Sequence, residues 1–260
     1  MNYNYHTHTF RCRHASGTPE EYILRAIEGG IKYMGFSDHI PFVFSDSYDS
    51  GYRIPSAETN EYFSELYTLR EKYKDKLNIK IGFEMEYYPR YFDEMLRVAL
   101  TSGAEYLILG HHCLGSEYPD GFWCTNKTDS TDHLKEYVSN VTDAIKSGVF
   151  TYVAHPDIMN FTGDNEVYEQ EMRKICIVSR EENIPLEINC LGIRDNRHYP
   201  KEAFWKIAAQ EKSPVTIGFD AHDAASAFDG ESIVKANNLI KKLGLNYIGK
   251  PEIKLLREKK

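Results

Sequence analysis

Tyr5-His6-Thr7-His8-Thr9, close to the start of the chain, decides how the rest of it reads. In an extended segment successive side chains alternate faces, so His6 and His8 point to the same side and can hold one metal ion between them. Two imidazoles are half of such a site. The remainder arrives later: Asp38-His39, Glu84, His111-His112, His155 and Asp220-Ala221-His222 each follow a short apolar run.

Outward from these points the chain alternates strands with helices. Thr18-Pro19-Glu20-Glu21 is a helix start, with Thr18 as N-cap, Pro19 in the first position and Glu21 closing a capping box; Gly29-Gly30 stops it. Residues 31–37 form an apolar segment running into Asp38-His39, and Pro41 prevents its continuation. Residues 56–77 read as a helix with Tyr62, Leu66, Leu69 and Tyr73 on one stripe. Residues 78–84 then alternate as a strand that ends on Glu84, and 91–100 make the next helix. Residues 106–110 are a fully apolar strand ending in His111-His112, as expected of a parallel sheet covered on both faces. Helices over 132–148, 165–182, 202–210 and 232–243 alternate with strands over 150–154, 184–188 and 215–219. The last two strands lead to Asn189, in a loop with Arg194 and Arg197, and to Asp220. Two aperiodic stretches, 42–55 and 114–130, are expected as long loops at the ligand end; the second carries Glu117, Tyr118 and Trp123. The tail from 254 to 260 is basic and is expected as a solvated end.

Seven strands alternating with helices, each ending in polar chemistry, predict a closed barrel of βα units with its site at the carboxyl ends of the strands. An open doubly wound sheet would gather ligands at a single switch point. Here six of the seven strand ends carry candidate ligands, and only a ring brings them together.

Composition narrows the function classes. A chain of 260 residues with 42% hydrophobic and 27% charged residues buries a full core, and one domain over 1–260 is expected. The 31 Lys+Arg against 39 Asp+Glu, a net charge of −8, argue against a nucleic-acid partner. A small anionic substrate stays open, because bound cations can reverse the local sign. Five cysteines without a Cys-x-x-Cys spacing suggest neither a disulfide framework nor a zinc knuckle. The absence of a basic-then-apolar leader and of any long apolar run predicts a cytoplasmic protein without a membrane partner. Oligomeric state is not indicated. No Gly-rich phosphate loop followed by Lys-Ser/Thr and no Gly-x-Ser-x-Gly elbow occurs, which disfavours nucleoside-triphosphate and covalent-serine chemistry.

Imidazole nitrogens with a few carboxylate oxygens suit zinc, iron or manganese. The ligands outnumber what one or two ions need, so three divalent ions are expected, with Glu84 and Asp220 as bridges. Such a cavity is cationic and suits phosphate. Asp38 is either a supporting acid, a leaving-group proton donor or a loop cap. Arg194 and Arg197 can clamp a phosphate. Cys12 reads as a buried small side chain, and His133 and His198 as structural.

These residues, taken together, resemble the polymerase and histidinol phosphatase (PHP) family, and within it the histidinol-phosphatase branch. The resemblance rests on His6 and His8, His14 in the following loop, Asp38-His39, Glu84, His112, His155 of Ala-His-Pro, and Asp220-Ala-His222. The branch rests on Leu186-Glu187-Ile188-Asn189 followed by Arg194 and on Cys12-x-His14-x-x-Gly17. It implies a distorted seven-stranded (β/α)7 barrel, TIM-like, with a three-metal cluster held by His6, His8, His14, His39, Glu84, His112, His155, Asp220 and His222. Where the family has one histidine this chain has two, and the downstream apolar pattern favours His112 over His111. The activity implied is hydrolysis of L-histidinol phosphate to L-histidinol and phosphate, in histidine biosynthesis, by attack of a metal-bound hydroxide. Asp38, Glu84 and His222 are expected to act in catalysis, and Arg194, Arg197, His111 and Glu117 to meet the substrate. Another small phosphate ester, an amidohydrolase and a non-catalytic polymerase-associated module are the alternatives; Glu84, where the amidohydrolases have a bridging lysine, counts against the second.

Overall fold

Parallel strands in this chain end where its polar chemistry begins, and the register between them fixes which ligands become neighbours. The structure is a computed structural model, and it describes residues 1–44, 48 and 50–256. Strands β1 (Tyr3–Asn4), β2 (Tyr33–His39), β3 (Asn78–Met85) and β4 (Leu107–Leu109) pair in that order as a parallel sheet curled into a half-barrel. The β2–β3 register sets His39 directly beside Glu84. A short antiparallel pair, β5 (Cys113–Leu114) with β6 (Phe122–Trp123), follows. Strands β7 (Leu186–Asn189), β8 (Pro214–Gly218) and β9 (Asn246–Tyr247) make a second parallel sheet. Single parallel bridges, Leu109↔Val153, Val153↔Leu186 and Thr7↔Ala221, connect the two sheets on both sides.

The helices lie where the sequence places them. Helix α1 (Pro19–Glu28) starts at the capping box, with the Thr18 side chain accepting from Glu21 N and the Glu21 carboxylate accepting from Thr18 N at 2.6 Å. Helices α2 (Thr59–Tyr73), α3 (Phe92–Ser102), α4 (Thr131–Ser147) and α5 (Asn165–Glu181) bury one face each, and α6 (Cys190–Arg194), α7 (Glu202–Glu211) and α8 (Gly230–Leu243) complete the order. The main core lies between sheets and helices. A smaller cluster of Tyr3, Tyr5, Tyr106, Ile108, Tyr152 and Ala154 is tied together by the Tyr106 hydroxyl, which donates to the carbonyls of Tyr5 and Phe36.

Several local expectations need correction. Of the strand expected over 150–154, residues 151–154 bond to the 107–109 and 185–187 segments on either side, with Val153 bridging Leu109 and Leu186, and the chain turns at His155, whose φ is 31°. Beyond β1 the opening segment mixes backbone bonds, His8 N to the Ala221 carbonyl and Ser37 N to the Thr7 carbonyl, with side-chain ones, His6 N to Asn4 Oδ1 and Thr7 N to Ser37 Oγ. The Arg194 loop holds a short helix, α6, capped by Asn189, whose Oδ1 accepts from Gly192 N. A 3-10 turn, Ser56–Glu58, precedes α2 where one helix was expected. Parts of the 42–55 loop and the end of the basic tail lie outside the described residues.

Candidate metal centre

Glu84, on β3, is the hub. Its Oε1 lies 3.0 Å from His155 Nε2 and 3.6 Å from His112 Nε2. Its Oε2 lies 3.3 Å from His8 Nε2 and 3.4 Å from both His6 Nε2 and His39 Nδ1. The fold makes room for this carboxylate with Gly110, where an added Cβ would overlap the Glu84 carboxyl group. Asp220 closes the other flank, its Oδ1 3.3–3.4 Å from His8 and His6 Nε2 and 3.2 Å from His222 Nδ1. His14 completes the cluster, its Nε2 2.9 Å from His222 Nε2. All nine ligand residues predicted from the sequence therefore converge.

Two of them sit in strained backbone. His155 and Asp220 have φ of 31° and 50°, a region disfavoured for any residue with a Cβ. Such strain persists only where surrounding structure imposes it, and it collects at functional sites. Here it turns the chain at two strand ends so that both side chains enter the same space.

A second set of acceptors orients the rings. His6 Nδ1 lies 2.9 Å from Glu187 Oε2, His8 Nδ1 3.4 Å from Asp38 Oδ1, and His112 Nδ1 2.9 Å from Glu86 Oε1. The His14 Nδ1 sits 2.9 Å from the Cys12 carbonyl oxygen. Each contact occupies one ring nitrogen and turns the other, Nε2, to the shared space, the arrangement that supports metal-ligating histidines.

The electrostatics fit a cation. Burial alone would lower His6, but Asp220, Glu187 and Glu84 outweigh it and raise its pKa well above the ordinary imidazole value. Burial opposes the charge on Glu84 and Asp220 too, yet the surrounding imidazoles hold both well below the usual carboxylate range. His14 falls to about 4 through burial and its neighbours His222 and His8. His6 Nε2, His8 Nε2, His39 Nδ1 and Asp220 Oδ1 are buried without a hydrogen-bond partner among the described residues. Buried polar atoms are ordinarily satisfied. Orphaned imidazole and carboxylate donors converging within coordination range are what zinc, iron or manganese would satisfy, by displacing shared protons.

The cluster forms the floor of a cavity of about 570 Å³ whose walls include Tyr52, Trp123, Arg194, Arg197 and Tyr199. Arg194 Nη1 donates to Asp229 Oδ2 at 3.0 Å, and Arg197 is held by Asp195 and the Tyr199 hydroxyl. His6 and His8 lie buried beneath this floor, and three further expected site residues do not line the cavity either. Asp38 is fully buried behind His8 and accepts from Thr9 N and Oγ1 and from His39 N. His111 turns to the opposite side from His112, against Tyr88 and Tyr137, with Nε2 3.2 Å from Asn140 Nδ2, because neighbours on an extended chain alternate faces. Glu117 is buried in an ion pair with Arg53 Nε at 2.9 Å, a guanidinium it shares with Glu86. His133 and His198 are structural, bonded to Thr128 Oγ1 and the Ile158 carbonyl. Cys12 is buried, and its sulfur shares a neighbourhood with ligand atoms of His8 and His222.

Sequence reasoning missed Glu86 and Arg53 and gave Glu187 no role. The available signals were a Glu inside the apolar run 184–188 and a second Glu two residues after Glu84.

The sequence matches the PHP domain model over residues 4–190. It is 26% identical over 222 residues to a probable histidinol-phosphatase of Deinococcus radiodurans, covering 84% of this chain and 85% of that protein. It is 24% identical over 258 residues to the histidinol-phosphatase of Lactococcus lactis, covering 94% and 92%. The crystal structure of the Lactococcus lactis histidinol phosphate phosphatase, complexed with zinc, L-histidinol and phosphate, superposes with a TM-score of 0.73 over 95% of both chains. A putative histidinol phosphatase from Listeria monocytogenes superposes equally well, at 0.73 over 89% of this chain and 99% of that one. With a converged histidine–carboxylate centre at the ends of its strands and the family model matched over most of its length, the chain belongs to the PHP domain family.

Proposed function

We propose that this protein is a metal-dependent phosphomonoesterase that hydrolyses L-histidinol phosphate to L-histidinol and phosphate. The observation that carries this reading is the pairing, in one cavity, of a histidine–carboxylate floor with two arginines on the wall. The names borne by relatives aligned over 84–94% of the chain supply the substrate. His6, His8, His14, His39, Glu84, His112, His155, Asp220 and His222 would hold up to three divalent ions, zinc, iron or manganese, and Glu84 and Asp220, each with two carboxylate oxygens among several imidazoles, would be shared between ions. Bound there, the ions supply Lewis-acid activation of water and of the phosphate ester.

The chain's own residues do the rest. Glu187, Asp38 and Glu86 hold His6, His8 and His112 with Nε2 inward. Arg194, steadied by Asp229, offers its fork to the phosphate and offsets charge that develops on transfer. Arg197, backed by Asp195 and Tyr199, lies beside it as a further contact. In the same reading the two sheets and their bridges form one distorted seven-membered barrel, a single domain over 1–260. Its partner is a small phosphorylated molecule rather than a nucleic acid, in the cytoplasm. Among the described residues no helix is long and apolar enough to cross a membrane.

The test is to purify the protein without chelators, count metals by elemental analysis, and measure phosphate release from a panel of phosphomonoesters. Two to three equivalents, with histidinol phosphate the preferred substrate, are expected. Less than one equivalent would remove the metal reading. Preference for a nucleotide or sugar phosphate would keep the chemistry and replace the substrate.

A further inference from the structure

Among the largest fully buried side chains is an arginine outside the cluster of ligands. Arg53 is 1% exposed, and its guanidinium is bonded on every side. Nε donates to Glu117 Oε2 at 2.9 Å, Nη1 to the Ile40 carbonyl at 3.1 Å, and Nη2 to Glu86 Oε2 at 2.6 Å and to the Tyr52 hydroxyl at 2.8 Å. Glu86 is completely buried, and its second oxygen, Oε1, takes His112 Nδ1 at 2.9 Å and the Tyr52 hydroxyl at 3.1 Å. A planar fork thus spans three parts of the chain: the residue after β2 at Ile40, the residue after β3 at Glu86, and the 114–130 stretch at Glu117. Arg53 itself comes from a fourth segment, anchored by Ile54 N donating to the His39 carbonyl.

Burying one guanidinium with two carboxylates carries a large desolvation penalty, and packing alone would be served as well by apolar residues. What the network adds is geometry. Arg53 Nη2 holds Glu86 Oε2 at 2.6 Å, and an acceptor so fixed at His112 Nδ1 leaves Nε2 directed at Glu84, 3.6 Å away.

We propose that Arg53 is a positioning residue that, acting through Glu86, sets the tautomer and orientation of His112 as a metal ligand, and ties the segments bearing Tyr52 and Glu117 to that ligand. The inference rests on reading the cluster as a metal centre and adds to it a support that reaches from the cavity wall to the floor. Glu117 thereby becomes a support of the site rather than a contact for the substrate.

Chelator-stripped protein is titrated with Zn(II) against a chromogenic competitor, for the parent, Glu86→Gln, Arg53→Lys, Arg53→Met and the Arg53→Met/Glu86→Gln pair, with near-ultraviolet circular dichroism confirming the fold. Glu86→Gln and Arg53→Met are each expected to weaken one zinc equivalent by roughly 10- to 100-fold, the usual effect of removing a ligand's supporting partner, while the others stay within about threefold. Arg53→Lys should fall between, because an ammonium cannot span the same acceptors. The double variant should lose no more than the larger single effect, as residues acting in series do. Additive losses, or Arg53→Lys and Glu86→Gln binding every equivalent as the parent does, would overturn the proposal. So would a lower melting temperature with unchanged zinc affinities. If Arg53→Met does not fold, Arg53→Lys takes its place in the cycle. A parent that binds no zinc would overturn the metal reading itself, a result distinct from failure of the Arg53 inference.

Discussion

Replacing Glu187 by Gln changes one atom and should weaken the metal centre sharply. Glu187 is fully buried on β7, with Oε2 2.9 Å from His6 Nδ1 and Oε1 accepting from Asn189 Nδ2 at 2.7 Å. Both neighbours present N–H groups, so both carboxylate oxygens must accept, and an amide has only one oxygen. Rotation cannot repair this. In either orientation an NH2 group faces another donor, His6 Nδ1 or Asn189 Nδ2. One charge-assisted hydrogen bond is lost, about 1.5–3 kcal/mol. At about 1.4 kcal/mol per decade, metal affinity at the His6 position should drop by roughly 10- to 150-fold. Zinc titration of the stripped protein, with phosphate release measured at saturating metal, reads this directly. Added zinc should restore much of the lost activity, because the ligands remain in place. Affinity within about threefold of the parent would show that the Glu187 contact does not support His6, and the argument from ring orientation would fail with it.

Gly110→Ala places a methyl group on the Glu84 carboxylate; it should abolish metal retention by elemental analysis while leaving helix content by circular dichroism near the parent's. Arg194→Ala should keep its metals yet lose roughly 30- to 1,000-fold in kcat/KM, and Arg194→Lys should recover only part; hydrolysis within about threefold of the parent would make Arg197 the next candidate for phosphate contact. Thr18→Ala removes the side-chain acceptor at the start of α1 and should cost about 0.5–2 kcal/mol in denaturant unfolding, with zinc affinity unchanged, since the cap lies outside the centre.

Most of the nine candidate ligands were legible from local rules, while His14 was offered only by the resemblance to the family. His6 and His8 share a face through the two-residue period of extended chain, and Asp38-His39, Glu84, His112, His155 and Asp220 stand at the ends of apolar runs, where a parallel sheet places its chemistry. The α1 capping box was legible for the same reason: Thr18 and Glu21 satisfy each other within one turn. Tertiary structure alone decided the roles of Glu187, Glu86 and Arg53, whose partners His6, His112 and Glu117 lie 181, 26 and 64 residues away. It likewise withdrew Glu117, His111 and Asp38 from the cavity, by giving each a buried partner that no spacing announces. Periodicity and capping act over a few residues and so are written in the sequence; the pairing of buried charges depends on which chain segments meet, and that is fixed only when the sheet curls and its strand ends converge.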